Sequence, residues 1–130
     1  MTSIEVPRRL AALLPTLSVM DISEEVQAAV TESGKQHGIA FLGGVGTTPC
    51  CVRVNELEQG FFADVEACLG RVVPESMRER ERLILLLLGG RGEQVPFSDG
   101  KLSLGTWQRV LLFGFGPRNR GDWRVTLLGE

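Results

Sequence analysis

Histidine and lysine are scarce in this chain, and tyrosine is absent. The 130 residues include one histidine, His37, two lysines among 14 basic residues, and three cysteines. A single imidazole excludes, within one subunit, any chemistry that needs two of them, such as a histidine-rich zinc site. The cysteines have no Cys-x-x-Cys spacing, and the adjacent Cys50 and Cys51 would point to opposite faces of a strand. This cysteine usage favours a reduced, cytoplasmic protein.

A charge excess and long apolar runs are also missing. The basic residues and 16 acidic residues leave a net charge of -2, which gives no electrostatic footprint for nucleic acid or an anionic membrane. The longest apolar run, residues 83–88, is far shorter than the roughly 20 residues of a bilayer span. Glu5, Pro7 and Pro15 interrupt any signal-peptide pattern. We therefore expect no membrane or nucleic-acid partner, and a single domain over residues 1–130.

Hydrophobic spacing predicts the elements of the first half. Residues 9–20 predict two short strands with a turn at Pro15, and a helix follows from Asp21 to Gly34, with acids in its first turn. Residues 39–45 and 50–55 predict strands, the second with alternating faces. A second helix is predicted over residues 58–73 before Pro74. Its apolar stripe is predicted to be Phe61, Val65, Cys68 and Val72.

The last third predicts further strands. Ser98-Asp99-Gly100 is typical of a turn, so we expect a hairpin of residues 94–97 and 101–104, followed by strands at 108–115 and 123–128. The run 83–88 is predicted to be a buried inter-sheet or inter-subunit segment, and the alternating charges of residues 78–82 a solvated one. The predicted order is ββαββαβββ. It indicates an α+β fold of two packed, mostly antiparallel sheets, with about seven strands and two helices.

Several motifs, in order along residues 17–130, resemble those of the YjbQ-like family, described as secondary thiamine-phosphate synthases. Asp-Ile-Ser-Glu-Glu-Val at 21–26 is similar to the D-I-[ST]-x-E-V that opens the first helix of the family. Gly-Thr-Thr at 46–48 and Asn55-Glu56 resemble its H-T-T…N-E block. Residues 95–108, VPFSDGKLSLGTWQ, are similar to I-P-V-x-D-G-x-L-x-L-G-T-W-Q, and Phe-Gly-Pro-Arg at 115–118 resembles F-D-G-P-R.

The chain departs from the family pattern at the histidines. The histidine of H-T-T falls at Gly46, and the best local match to D-A-H-L is Arg-Glu-Arg-Leu at 80–83. A guanidinium group serves neither as a neutral metal ligand nor as a general base near neutral pH. Of the cluster that the resemblance implies, two histidines and an aspartate are therefore missing, and only Glu56 is retained in type.

Glu56 is the candidate catalytic residue, and no metal ligand or cofactor is predicted. The alternative is that Glu56 is a polar residue leading into the second helix, where a carboxylate interacts well with the helix dipole. Thr47 and Thr48 can offer hydroxyl and backbone donors to a phosphate, or simply form a hairpin turn. The complete set of candidate ligand-binding residues is Thr47, Thr48, Asn55, Arg82, Trp107, Gln108 and Arg118.

Other polar and aromatic residues have simpler interpretations. His37 matches neither family histidine and is predicted to be a solvated loop residue. Cys50 and Cys51 are predicted to be buried, inert thiols. Trp107 is predicted to fill the core or a subunit interface, with Gln108 beside it. The arginines near the C-terminus either hold an anion or form a solvated rim; they are Arg109, Arg118, Arg120 and Arg124.

Two functional hypotheses follow. The resemblance implies a homotrimer with its sheets around the threefold axis, and an enzyme that joins a pyrimidine diphosphate to a thiazole phosphate or acts on another small phosphorylated substrate. In that enzyme Glu56 would assist proton transfer, and Thr47 with nearby arginines would hold phosphate. The second hypothesis is a non-catalytic trimer that keeps the scaffold and has lost the site, and that is either a binding module for a small anionic ligand or a structural module. The missing cluster favours the second, because function follows from the site rather than the fold.

Overall fold

Eight strands and three helices make up the part of the chain that the structure describes. This computed structural model describes residues 4–9, 17–44, 50–56, 58–89, 92–115 and 123–130. The helices are α1 (Ser23–Ser33), α2 (Gln59–Val72) and α3 (Arg80–Leu88). The strands are β1 (Ile4–Arg9), β2 (Leu17–Asp21), β3 (His37–Gly44), β4 (Cys50–Glu56), β5 (Gly92–Ser98), the two-residue β6 (Lys101–Leu102), β7 (Gln108–Phe115) and β8 (Trp123–Gly129).

The strands form two four-stranded sheets, and this confirms the predicted α+β class. The first sheet has the order β1-β2-β7-β4 and the second the order β6-β5-β3-β8. Every pairing within the two sheets is antiparallel. The structure adds a third helix after α2 to the predicted order ββαββαβββ, and that order is also one strand short. The four strand segments predicted individually in the last third are all present as β5 to β8.

Two hydrophobic clusters stabilise these layers. One lies between the first sheet and the helices α2 and α3, and includes Phe62, Ile84 and Phe113. The other lies between the two sheets and α1. Strand β4 contributes to both, because Cys51 belongs to the first cluster and Cys50 to the second. The predicted alternation of β4 is therefore confirmed, and the first sheet is covered on both faces.

Helix α1 follows its prediction closely. Ile22, Val26 and Val30 are fully buried, and Gly34 ends the helix in the left-handed conformation with a φ of 73°. That conformation favours glycine because a Cβ atom would be strained there. The first helical turn has the predicted acids, but the N-cap residue is Ile22, which makes no side-chain hydrogen bond to cap the helix.

Residues 83–88 form most of a helix, so of the two alternatives predicted for them, an inter-sheet or an inter-subunit segment, the inter-sheet one is wrong. Ile84 is buried, whereas Leu86 and Leu87 are exposed. Arg80 and Arg82, assigned above to a solvated segment, form the first turn of the same helix. A short apolar run does not distinguish a helix from a strand by periodicity. Leucine and arginine are strong helix formers, which favours a helix here, and Ile84 anchors that helix in the core.

The predicted buried stripe of α2 is wrong at Phe61, Cys68 and Val72, which are exposed, whereas Val65 packs against the core as predicted. The structure buries Phe62, Leu69 and Val73 and leaves Phe61 and Val72 exposed, at 44% and 56% of their surface. The exposed thiol of Cys68 lies beside the buried Leu69. Two apolar stripes run along this segment one position apart, and helical spacing fits both equally well. Packing against β7 selects the second stripe, since the Phe62 ring contacts Phe113 edge-on at a centroid distance of 6.3 Å.

Candidate functional site

Four of the motif residues lie at one end of the first sheet, where β4 ends and β7 begins. In the antiparallel register, Glu56 is opposite Gln108 and Asn55 is opposite Arg109. Adjacent strands in a sheet are about 5 Å apart, so these residues are direct neighbours although 52 or more positions separate them in sequence. We call this group, Asn55, Glu56, Trp107 and Gln108, the β4–β7 end. Glu56 is exposed there and Asn55 half-buried.

Gln108 holds the turn that leads into β7. Its Oε1 accepts the Gly105 N–H at 2.7 Å, and its own N–H donates to the Gly105 carbonyl at 3.0 Å. The side-chain oxygen is therefore engaged within the turn. Trp107 is 75% exposed, so the prediction that it fills the core of its own subunit is wrong. Its place in the turn, outside the packed strands, is the physical reason.

A buried polar group sits beside the β4–β7 end. The Asp21 carboxylate is almost fully buried, and its Oδ2 accepts from Nε of Arg109 at 2.7 Å. Its Oδ1 accepts the Ser23 N–H at 2.9 Å. A buried carboxylate needs such donors because desolvation strongly disfavours an unpaired charge. Arg109 is therefore an ion-pair partner rather than part of a freely solvated rim.

The motif Asp-Ile-Ser at residues 21–23 thus joins α1 to β7. Ser23 Oγ accepts the Val110 N–H at 2.7 Å, and the Ile22 N–H donates to the Val110 carbonyl at 2.9 Å. Both polar members of the motif satisfy groups that would otherwise be buried without partners. Sequence analysis missed this role, because the Asp21–Arg109 contact spans 88 positions and no local pattern signals it.

Arg80 and Arg82, the residues set against the family's D-A-H-L, lie in the first turn of α3. Arg80 donates from Nε to the Val73 carbonyl at 3.0 Å, and so satisfies a carbonyl at the C-terminal end of α2. Arg82 is largely exposed, and its Nη1 is 3.8 Å from Oε1 of Glu79. Within the described part of the chain, no hydrogen bond or ion pair joins Arg82 to Asn55 or Glu56, so polar contacts do not bring the predicted ligand-binding residues together as one group.

The lone histidine lies in the second sheet. His37 is the first residue of β3, not a loop residue as predicted, although its side chain is exposed as expected. Its Nδ1 is 3.3 Å from Ser98 Oγ, and its Nε2 is 3.9 Å from Asp99 Oδ1. A hydrogen bond between the second sheet and β4 is made by Glu93. Glu93 pairs with Leu42, which lies at the opposite end of β3 from His37. The imidazole therefore lies away from the β4–β7 end.

The adjacent cysteines are buried and free, as predicted. The pKa of Cys51 is raised from 9.0 to about 11, chiefly by burial and also by the neighbouring Cys50, while Arg53 acts to lower it. The thiol is the neutral form at physiological pH, and a neutral thiol is a poor nucleophile and metal ligand. This supports the interpretation of Cys51 as an inert core residue.

The free edge of β4 carries one further contact. The Val54 N–H, which points away from β7, donates to Oε2 of Glu93 at 3.2 Å. The same carboxylate oxygen is 3.9 Å from Nε of Arg53. Glu93 therefore connects the two sheets next to the β4–β7 end.

Some of the predictions lie outside the described residues. They concern Thr47, Thr48 and Arg118, together with Gly46 and Arg120. Among the residues that the structure describes, no group of three or more His, Cys, Asp or Glu side chains comes close enough to hold a metal ion. None of the helices in the same residues is both long and apolar enough to cross a membrane.

The features above define a two-sheet α+β protein in which α1 is joined to β7 through Asp21, Ser23 and Arg109. The family model described as UPF0047 protein YjbQ-like matches residues 14–130. The chain therefore belongs to the YjbQ-like family, as the motifs indicated.

Relatives and solved structures agree with this assignment. The chain is 32% identical over 113 residues to a UPF0047 protein of Archaeoglobus fulgidus, covering 80% of this chain and 86% of that protein. A YbjQ-like protein of Sulfolobus solfataricus P2 has a crystal structure that is similar with a TM-score of 0.76 at 26% identity, covering 98% and 95% of the two chains. A YjbQ/UPF0047 family protein of Clostridium acetobutylicum gives a TM-score of 0.76 at 26% identity, covering 97% of each chain.

Proposed function

We propose that this chain is a non-catalytic, homotrimeric member of the YjbQ-like family that binds a small anionic ligand at the β4–β7 end. It acts in the reducing cytoplasm, an assignment that the three free thiols support.

The main support for the proposal that the chain is non-catalytic is the position of its single imidazole, His37. His37 contacts Ser98 and Asp99 in the second sheet, and neither residue belongs to the β4–β7 end. General acid–base assistance contributes about 10²–10⁴ in rate, and the chain supplies no imidazole near Glu56 for it. At the position matched to the family's acid, Arg80 stabilises the end of α2 instead.

Ligand binding is supported by what remains at the β4–β7 end. Glu56 is exposed and Asn55 is half-buried beside it, so both are within reach of a ligand. The Trp107 indole is exposed next to them and offers a flat apolar surface with one N–H donor. Thr47, Thr48, Arg82 and Arg118 complete the proposed set, as donors and cations for an anionic group.

The trimer is supported by the outer face of the second sheet. Ile39 lies between Leu128 and Pro96 on neighbouring strands, and all three side chains are exposed. No described helix covers this face, because α2 and α3 pack on the first sheet and α1 packs between the sheets. Adjacent apolar side chains on a sheet face are typical of subunit contacts.

The first experiment tests catalysis. Purified protein is incubated with the pyrimidine diphosphate and the thiazole phosphate, and thiamine phosphate is measured against a blank without protein. We expect no product above the blank. Product formation that Glu56→Gln abolishes would overturn the non-catalytic proposal and favour the enzyme hypothesis.

A second experiment tests ligand binding at the β4–β7 end. Trp107 and Trp123 are the chain's two tryptophans, so Trp107→Phe removes the fluorescence of the exposed indole and leaves that of Trp123. We expect pyrophosphate to change the fluorescence of the wild type and not that of Trp107→Phe. An unchanged wild-type spectrum at millimolar pyrophosphate would contradict binding there.

A third experiment tests assembly and its surface. Light scattering should give three times the subunit mass for the wild type, and Leu128→Glu should give monomers, because it places a charge on the proposed interface. Leu86→Glu is the matched control, since Leu86 on α3 is exposed to a similar degree, 74% against 65% for Leu128. A monomeric wild type would overturn the trimer. Dissociation by Leu86→Glu alone would move the interface to the helices.

A further inference from the structure

Both lysines of the chain line one cavity. The chain uses arginine for 12 of its 14 basic residues, and the two exceptions are Lys35 and Lys101. They lie 66 positions apart, yet both border a cavity of about 660 Å³ between α1 and the turn that joins β5 to β6. Small-molecule sites have volumes of about 300–1,000 Å³, so this cavity is large enough for a ligand.

The walls of the cavity are held together by Gln27 of α1. Its Nε2 donates to the Gly100 carbonyl at 2.8 Å, and its Oε1 accepts the Leu102 N–H at 3.0 Å. The Gly100 N–H in turn donates to the Gln36 carbonyl at 3.0 Å. These bonds fix Lys101, which lies between Gly100 and Leu102, relative to the helix. The position of its backbone is therefore set before any ligand arrives, and this reduces the entropy cost of binding.

The polar groups of the cavity favour an anion. Lys35 uses one of its three N–H donors for the Gly129 carbonyl, at 3.0 Å, and keeps the other two. The Lys101 ammonium makes no hydrogen bond or ion pair with the residues that the structure describes. Thr31 accepts from Gln27 at 3.2 Å, which leaves its hydroxyl proton available. Asp99 is the sole acidic residue among those lining this cavity, so the lining carries one net positive charge in a chain of net charge -2.

We propose that this cavity binds a small organic phosphate, with Lys35 and Lys101 on its phosphate group. An ammonium is a compact charge with rotatable donors, and two of them lining one cavity match a doubly charged phosphate monoester. The Thr31 hydroxyl and the Gln36 amide, which line the same cavity, suit the polar part of such a molecule. None of these residues belongs to the β4–β7 end, so this site is separate from the one proposed above.

The test is a titration followed by ¹H–¹⁵N NMR. Inorganic phosphate and glycerol 2-phosphate are added in parallel with uncharged glycerol. We expect the two phosphates, and not glycerol, to shift the amide signals of Thr31, Gln36 and Lys101. Lys101→Gln should weaken glycerol 2-phosphate binding about tenfold or more, because it removes a charged hydrogen-bond donor. Arg124→Gln, which removes the same charge from exposed β8, should leave binding unchanged.

Three results of the titration would overturn the proposal that the cavity binds a phosphate. Shifts absent from the cavity at millimolar phosphate would show that no site exists there. Equal weakening by Lys101→Gln and Arg124→Gln would indicate attraction by overall charge only. Shifts confined to Trp107 and Gln108 would support the β4–β7 end and exclude the cavity, so failure of one proposal is distinguishable from failure of the other. Lys35→Gln provides a second variant at the same cavity, with the same expected loss.

Discussion

Arg109 donates from Nε to Oδ2 of Asp21 at 2.7 Å, and this ion pair joins the start of β7 to the last residue of β2. Asp21 is 5% exposed and Arg109 36% exposed, so the pair spans the boundary between core and solvent. The carboxylate is shielded from water while the guanidinium keeps part of its hydration. Removal of Arg109 should therefore lower the free energy of unfolding more than removal of an arginine from a fully exposed ion pair would.

Replacement of Arg109 by glutamine should lower the free energy of unfolding by about 2–3 kcal/mol, because a buried carboxylate loses its counter-charge. Urea unfolding at pH 7 measures the change. Arg124→Gln removes an exposed arginine from β8 and should alter stability by less than about 0.5 kcal/mol. Equal stability of the two variants would contradict the structural role of the Asp21–Arg109 pair.

Replacement of Ser23 by alanine should cost about 1–3 kcal/mol, since the Val110 N–H then has no acceptor for the bond now made at 2.7 Å. Ser23→Thr retains the hydroxyl and is the matched control, with a smaller expected loss. Thermal or urea unfolding of both variants checks this. A Ser23→Ala protein as stable as Ser23→Thr would show that the hydroxyl contributes nothing.

The two neighbouring phenylalanines of α2 should differ strongly in their contribution to stability. Phe62 is completely buried and Phe61 is 44% exposed. Phe62→Ala should therefore cost about 3–5 kcal/mol through lost burial and a cavity, and Phe61→Ala about 1 kcal/mol or less. Urea unfolding of the two variants distinguishes them. The reverse order would mean that the stripe predicted from sequence, with Phe61 inward, is the buried one.

Cys51 should make the free energy of unfolding depend on pH in the alkaline range. Its pKa is raised to about 11 in the folded chain from 9.0, so the unfolded chain loses the thiol proton first. The contribution of the neutral Cys51 thiol to the free energy of unfolding is complete below pH 9. It declines as the pH rises towards 11, by at most about 1.4 kcal/mol per pH unit. The difference in unfolding free energy between wild type and Cys51→Ala, measured from pH 8 to 11, should show this decline. A constant difference would contradict the raised pKa.

The fold was largely predictable because its signals are local. Alternation in β4, the spacing of Val26 and Val30, and the turn before Lys101 each identify an element from a few adjacent residues. The α2 stripe was not predictable, since Phe61 and Phe62 offer two faces of equal spacing. Their choice depends on Phe113, which is 51 positions away from Phe62.

The candidate site was predictable in part. Motif resemblance identified Asn55, Glu56 and Gln108, and strand register brings them together. The interactions around them were not predictable, because they join groups far apart in the chain, such as Asp21 with Arg109. The exposure of Trp107 was not predictable for a different reason. The residues around a tryptophan in a turn form no hydrophobic pattern that indicates whether its side chain is buried in its own subunit.

The Glu93 carboxylate has a consequence for how copies of this chain can associate. An edge strand normally presents unpaired amides to which a foreign strand can add. On β4 the outward amide of Val54 already donates to Glu93, and an approaching backbone would meet a negative charge at that point. This arrangement disfavours the addition of a foreign strand to the β4 edge, while the outer face of the second sheet stays exposed for specific contacts.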